Sequence, residues 1–129
     1  MKLAVIYVKA DDQNYDYSSL QDFIDGHDEW IYVRTYKDYY GNDPIEHDEL
    51  IDSALNGEVD VIVTDSVAKF GRNKKQFVDN MKSLMSKKVI VFFRQEQICS
   101  DDPHFPDVIN VITAFLEDQA ELRAEKRRK

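Results

Sequence analysis

Four short apolar runs constrain this chain more than any other feature: LAVIYV (3–8), WIYVRTY (30–36), VDVIVT (59–64) and VIVFF (89–93). The first, third and fourth are almost unbroken in β-branched and aromatic residues. A strand with one face in water alternates apolar with polar residues. A strand covered on both faces does not, and that is the condition of a parallel sheet held between two helical layers. Trp30 and the tyrosines of the second run give it the character of a sheet edge. Between the runs the period becomes helical. SSLQDFIDG puts Leu20, Phe23 and Ile24 on one face, with Ser18 or Ser19 as cap and Gly26 as stop. Leu50, Ile51, Ala54 and Leu55 form a second stripe that ends at Asn56-Gly57. Asn73 caps a third, carrying Phe77, Val78, Met81, Leu84 and Met85. A last, long helix over about 106–126 carries Val108, Ile109, Val111, Ile112, Phe115, Leu116 and Leu122. The alternation predicts one α/β domain over 1–129. It is a three-layer α/β/α sandwich on a mainly parallel sheet of four or five strands, with right-handed crossovers and a long C-terminal helix.

The 129 residues are 43% hydrophobic, enough for a real core despite 33% charged side chains. Cys99 stands alone, so no internal disulfide forms, and a reducing cytoplasm is the expected setting. No apolar run approaches the roughly 20 residues of a membrane span, and Met1-Lys2 leads straight into a strand pattern rather than a signal peptide. The net charge of −8 weighs against independent DNA binding, which requires phosphate neutralisation. Positive charge is concentrated in RAEKRRK (123–129), which reads either as a solvated helix end or as a phosphate-contacting arm. Beyond Leu116 the last helix outruns its own apolar stripe. Such a helix packs on something else, and Val108, Ile112, Phe115 and Leu122 are its candidate interface.

In open parallel sheets, chemistry collects at the carboxyl ends of the strands. The first run delivers Lys9, Asp11 and Asp12 there, and the third delivers Asp65, Ser66 and Lys69, with Arg72 a helical step later. The loops at 38–48 and 94–106 are the longest and most polar. The former can add Asp38, Asp43, Glu46 and His47. Aspartates after two strands could hold magnesium and accept a phosphoryl group, as in a receiver domain. A receiver also needs a fifth strand followed by a lysine, and neither is evident; the plainer reading is acidic loop tips. His27, His47 and His104 lack ligand spacing, and no glycine-rich phosphate loop or nucleophile elbow is present. No metal and no cofactor is expected.

The segment LIDSALNGEVDVIVTDSVAKFGRN (50–73) resembles, without a gap, the motif of the serine site-specific recombinases: the resolvases, invertases and large serine integrases. AVIYVKADD is similar to their first strand, YKDYYGND (36–43) to the loop after their second, and VITAFLEDQAELRAEKRRK (111–129) to their long dimerisation helix. The resemblance implies a resolvase-like fold and a chemistry in which a serine hydroxyl attacks a DNA phosphate held by arginines, assisted by an aspartate. It places the serine on Asp11 and the arginine two residues earlier on Lys9. The loop arginine falls at His47, the aspartate after the third strand on Ser66, and its following arginine on Lys69. The last arginine is kept as Arg72, and one in the long helix falls on Ala120.

These departures bear directly on the chemistry. Asp11 brings an anion toward an anion and offers no hydroxyl for a covalent phosphoester. Lysine keeps charge at positions 9 and 69 but loses the planar fork that grips two phosphate oxygens. Phosphoryl transfer depends on placed charge, so the losses together should abolish cleavage. The expectation is a catalytic-domain homologue, with no DNA-binding domain in the chain and a cytoplasmic setting. It would serve recombination or its regulation in a phage or mobile element. It would work as a homodimer or as a hetero-oligomer with a recombinase, reaching DNA weakly or through that partner, with no membrane involved. The alternatives are an active strand-exchange enzyme with a rearranged site, using Ser66, and a receiver-like phosphoacceptor.

Overall fold

The computed structural model describes residues 1–11, 15–71, 74–107 and 110. The elements run β1 (Lys2–Ala10), α1 (Ser18–Asp25), β2 (Trp30–Tyr39), α2 (Ile45–Leu55), β3 (Val61–Thr64), α3 (Val67–Phe70), α4 (Lys74–Ser86), β4 (Ile90–Phe93) and β5 (Ile98–Cys99). They build one five-stranded sheet in the order β2-β1-β3-β4-β5. The first four strands are parallel, and β5 turns back antiparallel on β4 through Phe92–Cys99 and Phe93–Ile98.

Burial on both faces explains the unbroken apolar runs. Along β1, Val5 and Tyr7 enter one cluster with Leu50, Ile51 and Ala54 of α2 and Phe77, Met81 and Leu84 of α4. Ala4, Ile6 and Val8 enter the opposite cluster with Leu20 and Ile24 of α1. The eight residues of α1 are too few to hold a helix in water. Complete burial of Leu20 and Ile24, at roughly 1.5–3 kcal/mol each, holds it on the sheet. Stacking of Phe23 on Phe92 and of His27 on Trp30, with ring centroids 4.1 and 3.8 Å apart, closes that layer below.

Register is pinned at the lower edge. The Asp60 amide donates to the Leu3 carbonyl and the Leu3 amide to Asp60 Oδ2, at 2.9 and 2.8 Å, while Ile90 N donates to the Asp60 carbonyl. β2 is the edge strand that its aromatic content suggested. It carries a bulge, Ala4 pairing with Tyr32 and Val5 with Arg34, which leaves Val33 out of the ladder and bends the edge. α2 ends as predicted, with Gly57 at φ +84°, a conformation that side-chain-bearing residues resist.

Three local expectations change. β2 continues to Tyr39 because Lys9 and Ala10 still offer pairing partners, so the 38–48 loop contracts to residues 40–44. The first helix starts at Ser18 with Tyr17 at the cap position and no serine hydroxyl capping it; instead Asp16 Oδ1, one residue before the cap, accepts from Ser18 N at 2.9 Å. A four-residue helix, α3, intervenes before the helix that carries Phe77. Helical backbone is found again at 105–107 and at Asn110. Val108, Ile112, Phe115 and Leu122 of the predicted interface, and Arg72 of the predicted site, lie outside the described residues. No helix among the described residues is long and apolar enough to cross a membrane.

Candidate functional site

The strand order creates a switch point. From β1 the chain moves through α1 to β2 on one side. It then crosses through α2 on the opposite face to β3 on the other side. The carboxyl ends of β1 and β3 therefore flank the crevice where doubly wound sheets place their ligands.

At the end of β1, Lys9 is half-buried, its Nζ 4.9 Å from the centroid of the Tyr40 ring, and Asp11 is exposed just past the strand. Asp38, opposite Lys9 in the β2 register, is 5% exposed. It accepts from the Tyr7 hydroxyl at 3.0 Å and from the amides of Glu46 and His47 at 3.0 and 2.9 Å. The aspartate of the YKDYYGND loop thus receives the open N-terminus of α2, where amides of the first turn lack intrahelical partners. His47 lies beneath it, 3% exposed, edge-on to Tyr7 and Phe70 at 5.2 and 5.0 Å. Glu46 turns toward Arg34 at 3.7 Å.

At the end of β3, Ser66 is 3% exposed and caps α3, its Oγ accepting from Lys69 N at 3.2 Å. A second acceptor reaches the same short helix from beyond β4: Glu96 Oε1 accepts from Val67 N at 2.6 Å. Burial outweighs that bond and raises the Glu96 carboxyl above its ordinary range. Lys69 Nζ stands 3.7 Å from Asp65 Oδ2, and the Tyr15 hydroxyl donates to that same oxygen. Burial, and then the bond to Asp65, holds the Tyr15 hydroxyl protonated well above the usual phenol range. Arg94, the first residue after β4, donates from a guanidinium nitrogen to Ser19 Oγ at 2.6 Å.

Lys9, Asp11, Ser66 and Lys69 thus lie at one edge of the sheet, at or just past the ends of β1 and β3. His47 is placed inside the core at that edge. Tyr15, Arg94, Gln95, Glu96 and Gln97 join this edge in the folded chain although they are not among the expected site residues. Arg94 had a usable signal, as the first cation after a buried strand; Tyr15 had none, being brought in only by folding. Cys99 is chemically quiet, its thiol pushed up to about 11 by burial and by the Asp101 side chain. Among the described residues, no group of three or more His, Cys, Asp or Glu is arranged to hold a metal ion. The fifth strand that a receiver requires is here a two-residue antiparallel one.

The family model of the resolvase N-terminal domain matches residues 17–129. This chain belongs to the resolvase family. Solved structures agree on the fold of this resolvase-family domain. The N-terminal catalytic domain of TP901-1 integrase is 18% identical, with a TM-score of 0.62 over 94% of this chain and 98% of that one. A resolvase family site-specific recombinase from Streptococcus pneumoniae is 14% identical, with a TM-score of 0.62 over 99% and 91%. The C-terminal catalytic domain of ISC1926 TnpA, an IS607-like serine recombinase, is 17% identical, with a TM-score of 0.59 over 88% and 82%. No curated protein matches at a significant level. The resolvase-like α/β fold expected from the sequence is the fold observed.

Proposed function

We propose that this resolvase-family domain does not cut DNA, and that it acts in site-specific recombination or its regulation by associating with copies of itself or with an active recombinase. Asp11 carries the reading. It is exposed at the end of β1, on the crevice, at the position the resemblance gives to the attacking serine. A carboxylate there repels a phosphodiester and leaves no hydroxyl to store the cleaved bond. Ser66 supports the same conclusion, because its oxygen is buried and serves as a helix cap. The lysines support it too: one faces the Tyr40 ring and the other an aspartate, and neither has the guanidinium fork. Association is assigned to the 106–126 segment through Val108, Ile112, Phe115 and Leu122, with DNA reached weakly or through the partner. A phage or other mobile element and a cytoplasmic setting suit that role.

Supercoiled plasmid carrying recombination sites, incubated with the protein alone and with an active serine recombinase, tests the proposal. No nick and no covalent protein–DNA adduct attributable to this chain is expected. An adduct that disappears in Ser66→Ala would establish the rearranged strand-exchange enzyme instead. Light scattering tests association: Phe115→Arg and Leu122→Arg should lower the mass. A monomer at high micromolar concentration, with no binding to a recombinase, would remove that part.

A further inference from the structure

One carboxylate oxygen at the β3 edge serves two partners. Asp65 Oδ2 receives the Tyr15 hydroxyl and lies 3.7 Å from Lys69 Nζ. That ammonium is also 5.3 Å from the centroid of the Tyr15 ring. The side chains of Asp65 and Lys69 are only 13% and 32% exposed, so the pair is less screened than a surface ion pair. The three side chains wall an open cleft of about 370 Å³ that Arg94, Gln95 and Gln97 complete. Apart from Asp65, the cleft presents donors suited to phosphate oxygens: the Lys69 ammonium, the Arg94 guanidinium, which also donates to Ser19 Oγ, and the Gln95 amide, while Gln97 Nε2 donates to the Arg94 carbonyl at 2.6 Å.

We propose that Tyr15 and Asp65 form a latch on Lys69, an internal competitor that suppresses binding of phosphate-class anions in this cleft. The Asp65 carboxylate occupies the place beside the ammonium that a phosphate oxygen would take. The Tyr15 hydroxyl fixes that carboxylate, while its ring covers the cation. An incoming phosphate must either displace Asp65 or approach Lys69 against a fixed negative charge. The latch is intrinsic to the β3–α3 turn, since Asp65 and Lys69 are four residues apart and the extended Ser66 turns the chain between them. The inference goes beyond the absence of cleavage: it concerns affinity, and it assigns Tyr15 and Asp65 positioning roles.

Binding of the full chain to inorganic phosphate by calorimetry, and to a fluorescent duplex oligonucleotide by anisotropy at low salt, tests the latch. Asp65→Asn keeps the shape and removes the competitor, and should tighten binding about tenfold, equivalent to about 1.4 kcal/mol. Asp25→Asn, the same charge change at an exposed site on α1, should give less than about a twofold gain. Adding Lys69→Gln to Asp65→Asn should erase the gain, and Tyr15→Phe should give a smaller gain of its own. Thermal melts confirm folding, with Asp65→Ser as a second release variant should Asp65→Asn melt early. A gain on both probes assigns the site to the nucleic-acid backbone, and a gain on inorganic phosphate alone to a free anion. The proposal is overturned if Asp65→Asn gains no more than Asp25→Asn, or if the gain survives Lys69→Gln. DNA cleavage by the wild-type chain would refute the proposed function yet leave this comparison intact, so the two failures are distinguishable.

Discussion

Asp38 lies near the end of β2, within the segment that resembles the recombinase motif, and its geometry makes it a structural acceptor. Replacing it with alanine removes three hydrogen bonds: one from the Tyr7 hydroxyl and two from the first amides of α2. Bonds to a charged acceptor contribute roughly 1.5–3 kcal/mol each when buried. The half-buried Glu46 amide can recover water, so the three do not add in full. About 3–5 kcal/mol is the expected loss, a large share of the roughly 5–15 kcal/mol available to a domain. Tyr7→Phe should cost only about 1 kcal/mol, since the two amides keep their acceptor. Asp38→Asn should fall between, its amide keeping an oxygen but losing the charge. Urea unfolding at neutral pH measures all three, and a cycle between Tyr7→Phe and Asp38→Asn isolates the hydroxyl–carboxylate bond. If Asp38→Ala retains wild-type stability within about 1 kcal/mol, the carboxylate is not holding α2 and the assignment is wrong.

Gly71 tests packing rather than backbone freedom, because its φ of −93° and ψ of 134° suit any residue. A Cβ there would lie 2.9–3.1 Å from the Phe77 side chain, itself 1% exposed, so Gly71→Ala should cost about 1–3 kcal/mol. The cost should shrink in a Phe77→Leu background, and strictly additive denaturation midpoints would refute the clash. Glu96 provides a pH signature. Its folded carboxyl is raised above the ordinary value of 4.5, so the folded state holds the proton more tightly than the unfolded chain. That contribution to stability is complete below the unfolded value and disappears as pH rises through the folded one. Glu96→Gln retains an acceptor for Val67 N and does not titrate. Its stability relative to wild type should therefore rise from pH 4.5 upward and then level off. Parallel pH–stability curves for the two proteins would contradict this.

The sheet was legible because burial on both faces leaves a contiguous apolar run whatever the neighbours are. Strand ends were less so. Pairing carries β2 through Lys37 and Asp38, polar residues that a hydrophobicity pattern excludes but that Val8 and Lys9 hold in the ladder. α3 escaped notice because four residues show no period, and only the Ser66 and Glu96 acceptors identify it. The site was half legible. Lys9, Asp11, Ser66 and Lys69 follow strand ends in sequence, whereas Tyr15 reaches Asp65 across fifty positions. His47 looked like a loop residue with a site role, and the aspartate nine residues before it could not be seen to draw α2 inward over it.

The place of β1 in the sheet has a consequence for how the protein is made. β1 emerges from the ribosome before both of its neighbours and is an interior strand, needing β2 on one side and β3 on the other. Its second neighbour begins only at Val61, and the Asp60 clasp on Leu3 closes over 57 residues. At about 5–20 residues per second, this largely apolar strand waits on the order of several seconds with one edge unpaired. Nascent fragments released before β3 is complete should therefore be retained by chaperones, while those extending past β4 fold and let go. The inner edge of β1 is therefore fixed in register only once the Asp60 clasp has formed.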